Sequence, residues 1–454
     1  MQQYVYHFKK LTVLAFPIFI GQLTQTMMGF IDTAMAGQVS AQDMAAVAIG
    51  AGIWFPTMLF VLGLIMPLTP IVSHYLGGEA YDKIRPAIYQ GFYLALLGCV
   101  PALLIFVFSP FILNNMQLEP GLFNLSKSYL YFIAWGAPAF ALFQVLRSCS
   151  EGIAYTMPTM LISFVGLACN IPANYIFIHG HFGIPALGGA GCGLASALVY
   201  WCMLISMGCY IHLHPRFDRI KLFYAFEWIR WPDVRAYFRL GLPIALSVFF
   251  EVTLFSAIAL FIAPLGSVVV AGHQIAMNFS SLIFMLPLSI GIVTSIRVGY
   301  YLGRQNPIAT WTTIKVSIFT GMILAVFTAI GTFWGRQFIA HTYTQDNEVI
   351  NLAIYLLMFA SLYQIVDAIQ TIIAGALRGY KDTTACFYIS LFSYWMIGMP
   401  LGYLLSFTNL IGSKLGVLGF WIGISIGLTC AAVLFTLRLI YIQRRTFSSN
   451  LLDN

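Results

Sequence analysis

The sequence predicts an all-α polytopic membrane protein with twelve transmembrane helices in two pseudo-symmetric six-helix lobes. Three observations predict it. Of 454 residues, 60% are hydrophobic and only 8% charged, whereas a soluble domain is ~25% charged; so few charges cannot cover the surface of a globule. Uncharged runs of ~20 residues, long enough to cross a ~30 Å hydrocarbon core, recur along the whole chain. Short motifs also repeat at an offset near half the chain length. Segments alternating apolar and polar residues are absent, which argues against an outer-membrane barrel. The first apolar stretch is too long for a cleavable signal and lacks a clear small-residue cleavage site.

Apolar runs between polar turns place the spans at residues 11–36, 45–75, 87–111, 123–150, 156–178, 188–212, 238–263, 269–300, 308–334, 349–375, 384–408 and 416–441. Lysines and arginines sort to one set of ends; only Lys127, Arg336 and Lys414 fall on the other. The positive-inside rule then puts both termini in the cytoplasm, as an even span count requires. The repeat is visible in Phe16-Pro17-Ile18 against Leu242-Pro243-Ile244 and in Tyr75-Leu76-Gly77 against Tyr301-Leu302-Gly303. It suggests duplication of a six-helix unit, with the two copies related by an axis along the membrane normal. The expected organisation is an N-lobe over 1–212, a cytoplasmic linker over 213–237 and a C-lobe over 238–454. The linker carries Pro215, Pro232, aromatics and a basic excess, so it is expected to be a partly interfacial helix, or else a solvated charged loop.

Three acids lie inside apolar runs: Asp32 in GFIDTAMAG, Glu251 in FFEVTLF and Asp367 in LYQIVDAIQ. Glu251 is 12 residues beyond Arg239 and Asp367 is 11 before Arg378, so both are close to the midplane, ~18 Å from the cytoplasmic side. Asp32 belongs in the outer half. A charged acid at such depth costs roughly 2.5–3.5 kcal/mol on insertion scales, so each needs a proton, a cation or a partner. Asn170 and Asn174 share one face of the fifth span at i,i+4 spacing, with Pro172 between them loosening the backbone ladder. Tyr363 is one turn before Asp367 and is either a donor or cation ligand to it or a packed aromatic. The bland alternative for each acid is a protonated hydrogen-bonding bridge between helices. The repeat argues against it: Glu251 aligns with Gln25, Asp32 with Ile258 and Asp367 with Arg147, whereas a scaffold feature should recur in both halves. A buried acid can hold a proton or a cationic ligand, and holding neither is strongly unfavourable. That mutual exclusion is the chemistry of an antiporter.

Other classes lack their motifs. There is no G-x-x-x-x-G-K-[ST], no H-E-x-x-H and no G-x-S-x-G, so ATP hydrolysis, zincin-type proteolysis and serine hydrolysis are not expected, and the chain reads as no enzyme. The eight histidines form no ligand spacing, and His273, near a helix start, reads as simply hydrogen-bonded. The eight cysteines read as small buried hydrophobes rather than disulfides or ligands. The net charge of +7 is loop asymmetry and implies no nucleic-acid partner. No cofactor is expected beyond a coupling ion.

GFIDTAMAG, NIPANYIFIHGHFGIPALGGAGCG (170–193), FFEVTLF, HQIAMNFSS (273–281), SIRVGYYLG (295–303) and LRGYKDT (377–383) resemble the NorM-type branch of the multidrug and toxic compound extrusion (MATE) family over residues 11 to 442. The resemblance implies a V-shaped pair of six-helix lobes in the bacterial inner membrane. It implies an exporter of hydrophobic, mostly cationic drugs and dyes in exchange for Na+ or H+, and the chain is expected to act as a monomer. Glu251 and Asp367, with Tyr363, match C-lobe positions linked to coupling-cation binding, and the two acids are candidate Na+ ligands. Asp32, Asn170 and Asn174 match N-lobe positions linked to protonation or cation binding. Proton-driven relatives of the other prokaryotic branch carry an acid where this chain has Asn174, which weakens an N-lobe-only proton mechanism. Arg297 and Arg378, at cytoplasmic helix ends, read as topology and inter-helix anchors. The alternative function is a lipid-linked oligosaccharide flippase, which would need a strongly cationic cavity, whereas the spans offer buried acids.

Overall fold

A computed structural model of the chain describes residues 2–409 and 414–452, and among these there is no β-strand. The membrane helices are α1 (Gln2–Val39), α2 (Ala41–Gly77), α3 (Tyr81–Val107), α4 (Pro120–Ala134 continued by Ala137–Gly152), α5 (Met157–His179), α6 (Gly189–Leu213), α7 (Trp231–Leu265), α8 (Ser267–Gly303), α9 (Pro307–Tyr343), α10 (Asn347–Gly379), α11 (Thr383–Phe407) and α12 (Val417–Arg445). Eleven of these are each long and apolar enough to cross a bilayer, and α4, bent by 44° at its break, makes up to twelve when its two pieces count as one span. Several helices outrun the apolar segments that predict them. α1 begins at Gln2 and α9 runs to Tyr343, because hydropathy marks only the part suited to lipid and no proline interrupts the turns beyond.

Side-chain caps start the later helices as their sequences dictate. The Asn306 carboxamide oxygen accepts from the Ala309 amide at 2.9 Å, and Asp346 Oδ1 accepts from the Glu348 amide at 2.9 Å, each satisfying an N–H that the helix leaves orphaned. Within α2 the regular ladder breaks at Met66 and Pro67, where proline lacks the donor.

Of the two expectations for the linker, the structure shows the loop and not the interfacial helix. After a single 3-10 turn at Pro215–Phe217 it runs through turns to the start of α7 at Trp231. Proline stands at 215 and 232, and Lys221 takes a left-handed φ of 50°, both unfavourable to a continuous helix. Its end is clasped to α3 instead. Arg85 pairs with Glu227 at 2.6 Å. The Gln90 side chain donates to the Trp228 carbonyl at 3.1 Å and accepts from the Arg230 amide at 2.8 Å. The aromatics of this stretch, Tyr224, Phe226 and Trp228, are exposed.

The chain forms two compact units, Phe16–Ala245 and Leu246–Asn454 with Met1–Ala15. The first, called the N-unit, is packed around Trp54, Phe106, Phe143 and Met203. The second, the C-unit, is packed around Leu356, Phe420, Trp421 and Phe435. In the C-unit α10 crosses α8 where two glycines meet: a Cβ on Gly375 would lie 2.2 Å from the Gly291 carbonyl oxygen, so only glycine permits this approach. All eight cysteines are free; Cys99, Cys149, Cys192 and Cys386 are buried as expected, whereas Cys209 is exposed on α6.

Candidate functional site

In the N-unit Asp32, on α1, is buried at 6% exposure and ringed by donors from two other helices. Asn170 and Asn174, one turn apart on α5, donate to its Oδ1 at 2.8 and 2.6 Å. Ser196 on α6 donates to Oδ2 at 2.8 Å, and the Cys192 thiol reaches the Asp32 carbonyl oxygen at 3.4 Å. The i,i+4 asparagine pair predicted from sequence therefore converges on the predicted acid. The start of α6 is pinned by a second carboxylate. Asp43 Oδ1 accepts from the Gly189 amide at 2.6 Å, while Oδ2 takes the Ser40 hydroxyl at 2.6 Å. Gly188 turns at φ 56°, and a Cβ there would stand 2.5 Å from Asp43 Oδ1, which is why GGAGCG opens this helix. The carboxamide oxygens of Asn170 and Asn174 are buried with no hydrogen-bond partner. Each amide gives its NH2 to the Asp32 carboxylate, and its unmatched oxygen is a hard donor that could serve a small cation.

The C-unit holds the other two acids. Asp367, on α10, and Tyr363, one turn earlier, face a small recess whose walls include Ser280, Pro287, Thr328 and Gln364. Asp367 Oδ1 accepts from Gln370 at 3.0 Å. Tyr363 is also a packed aromatic, with its ring 5.8 Å from that of Trp421. Trp421 donates to His273 Nδ1 at 3.2 Å, so His273 is the hydrogen-bonded residue expected. Glu251, on α7, faces a second small recess with Leu254, Tyr394, Gly398, Ile424 and Leu428. Its carboxylate interacts electrostatically with Asp367 and with Arg378. Arg378 keeps a buried Nε with no partner. Arg297 bonds the Tyr301 hydroxyl at 2.6 Å and lies 3.5 Å from His7 Nδ1, which the Thr313 hydroxyl meets at 2.9 Å; it fastens the first turns of α1 to α8 and α9 inside this unit.

The four ion pairs among the described residues are Arg85–Glu227, Arg147–Glu151, Arg230–Glu227 and Arg438–Asp382. None involves Asp32, Glu251 or Asp367. Nor does any cluster of three or more His, Cys, Asp or Glu among the described residues form a metal-type cage, so a cation at Asp367 would draw on neutral oxygens such as those of Thr328, Tyr363 and Gln364. Sequence reasoning missed Ser196, Gln370 and Tyr394. Gln370 follows Asp367 by three residues on one helix face, a signal that was there to be used; the other two are brought in by tertiary contact alone.

The fold is that of known membrane transporters. It overlays the crystal structure of the eukaryotic MATE transporter AtDTX14 with a TM-score of 0.88 at 21% identity, covering 98% of this chain and 99% of that one. It overlays the Vibrio cholerae MATE transporter VcmN in its bent form with a TM-score of 0.85 at 16% identity, again covering 98% and 99%. Two stretches, residues 17–176 and 243–404, match the sequence model of the MatE family. The chain is 54% identical to the probable multidrug resistance protein NorM of Shewanella oneidensis over 98% of its own length and 97% of that protein. It is 46% identical to the multidrug resistance protein MdtK of Edwardsiella ictaluri over 98% of each. The chain belongs to the MatE family.

Proposed function

We propose that this protein is a multidrug efflux antiporter of the bacterial inner membrane, acting as a monomer with both termini in the cytoplasm. It exports hydrophobic, mostly cationic drugs and dyes in exchange for Na+ or H+ by alternating access. The observation that carries the reading is that none of the three acids in the spans forms an ion pair among the described residues: Asp32 is held by neutral donors only, and Glu251 and Asp367 face recesses. Such carboxylates are costly bare, and each is satisfied by a proton, an alkali cation or a cationic passenger, one at a time. Competition of this kind drives exchange when each bound form favours a different openness of the protein. Recess walls that each carry one acid and no lysine or arginine suit a cation and oppose a pyrophosphate-bearing lipid, which disfavours the flippase alternative. Hard-oxygen ligands serve Na+ and H+ alike, so the coupling ion is decided by transport. Purified protein in proteoliposomes, given an imposed Na+ or H+ gradient separately, should drive ethidium uphill with at least one of them. Absence of movement with both gradients rejects antiport.

A further inference from the structure

Two recesses of the C-unit, each walled by one acid, are joined by a chain of hydrogen bonds. From Asp367 the chain runs through Gln370, whose Nε2 donates to Asp367 Oδ1 at 3.0 Å. The same side chain's Oε1 accepts from the Tyr394 hydroxyl at 2.9 Å. Tyr394 in turn lines the Glu251 recess. Gln370 is 4% and Tyr394 3% exposed, so neither bond is shared with bulk solvent. Tyr394 owes its place to an irregularity: Phe392–Gly398 of α11 is a π-helical turn, closed by the Met399 amide donating to the Tyr394 carbonyl five residues back. Such bulges rotate side chains away from their regular register and cluster at functional sites. The next residue, Trp395, donates its indole N–H to the Phe250 carbonyl at 2.9 Å, one residue before Glu251. Consecutive residues of one turn thus hold both acid-bearing helices.

We infer that Gln370 and Tyr394, the latter set in place by the π-helical turn, are positioning residues that link the two recesses, so that a cation at Asp367 changes the hydrogen bonding offered to Glu251. The inference rests on the antiport reading. As arranged, the Gln370 amide presents its NH2 to the Asp367 carboxylate, and its oxygen holds the Tyr394 hydrogen. A cation on Asp367 repels that NH2 and attracts the amide oxygen. The amide then turns over and presents NH2 to Tyr394. The phenol can no longer donate to Gln370, and its O–H swings into the recess it shares with Glu251. A glutamine can make this exchange because it carries a donor and an acceptor at equal reach; the indole clamp on Phe250 keeps the phenol near Glu251 while it happens. Arg378, the cation in electrostatic range of Glu251, stands outside this hydrogen-bonded chain.

The test is a dye-displacement cycle on the purified full-length protein. Bound ethidium is followed by fluorescence anisotropy while Na+ is raised at fixed pH and, separately, pH is lowered without Na+. Tyr394→Phe keeps the ring and removes only the hydroxyl, so a merely structural role would leave it silent. Tyr394→Phe and Gln370→Leu should each move the half-displacing concentration of the effective ion by about fivefold or more, in the range of ordinary site-to-site coupling. The double variant should match the larger single effect, because a chain cut twice is no more broken than one cut once. A Tyr394→Phe midpoint within about twofold of the parent, or single effects that multiply in the double variant, overturns the proposal while leaving antiport standing. Dye that neither ion displaces from the unmodified protein overturns the antiport reading and the proposal together.

Discussion

Replacing Gly375 with alanine tests whether the close crossing of α8 and α10 sets the Asp367 recess. An added Cβ would lie 2.2 Å from the Gly291 carbonyl oxygen, and ordinary contact begins at 3.4 Å, so the backbones must part by about 1.2 Å. The atom in the way is backbone, which cannot rotate aside. Overpacking of a tight interior costs about 1–3 kcal/mol, and this case belongs at the upper end. Gly375 is eight residues, or ~12 Å along the helix, from Asp367, and α8 supplies Ser280 and Pro287 to the same recess. A retreat of that size shifts an acid against its wall by a distance that matters to oxygen coordination. The assay is thermal unfolding of the solubilised protein together with ethidium accumulation in expressing cells. Gly375→Ala should melt several degrees lower and export poorly at equal expression. Gly331→Ala on α9, where an added Cβ meets nothing within 4 Å, is the control and should gain about 0.5–1 kcal/mol from helix propensity. If Gly375→Ala melts like the parent and exports normally, the crossing does not position the acid.

Asp367→Asn and Glu251→Gln should each abolish uphill ethidium efflux at unchanged expression, and normal export by either removes that acid from the coupling machinery. Asp32→Asn should impair export in the same assay, since the asparagine cannot take up and surrender a proton or anchor a cation; parent-like turnover would make Asp32 a structural bridge. Asp43→Ala strips the Gly189 amide and the Ser40 hydroxyl of their acceptor and should cost about 1–3 kcal/mol of stability, read as a lower melting temperature with export per folded molecule retained. Arg147→Met leaves Glu151, its partner at 2.6 Å, buried without a cation and should cost about 3–5 kcal/mol; adding Glu151→Leu should recover much of that melting temperature.

Span number, the all-helical class and the three interior acids were legible because lipid imposes them: hydropathy must run unbroken, and a carboxylate within it stands out. The Asn170 and Asn174 pair was legible for a related reason, since i,i+4 spacing alone sets their shared face. Helix ends were less so; α9 continues to Tyr343 although its apolar run stops near 334, because helical hydrogen bonding does not need lipid. For the linker, composition leaves an interfacial helix and a solvated loop both open, and the outcome turned on Gln90 and Arg85, ~140 residues away in the chain and invisible to local patterning. Tyr394 was hidden for a different reason: a π-helical turn carries no composition signal, and regular 3.6-residue counting points its side chain elsewhere.

The borders of the compact units do not fall in the linker. They fall between Ala15 and Phe16 in α1 and between Ala245 and Leu246 in α7, beside Pro17 and Pro243. A gene cut at the linker would therefore not yield two self-sufficient pieces. The fragment encoding the first repeat would carry His7 away from Thr313 and Arg297, and the fragment encoding the second would take along the opening turns of α7, whose packing lies with the first. Each piece would hold a strip of chain whose packing partner is encoded on the other, so either should accumulate better when both are co-expressed than alone.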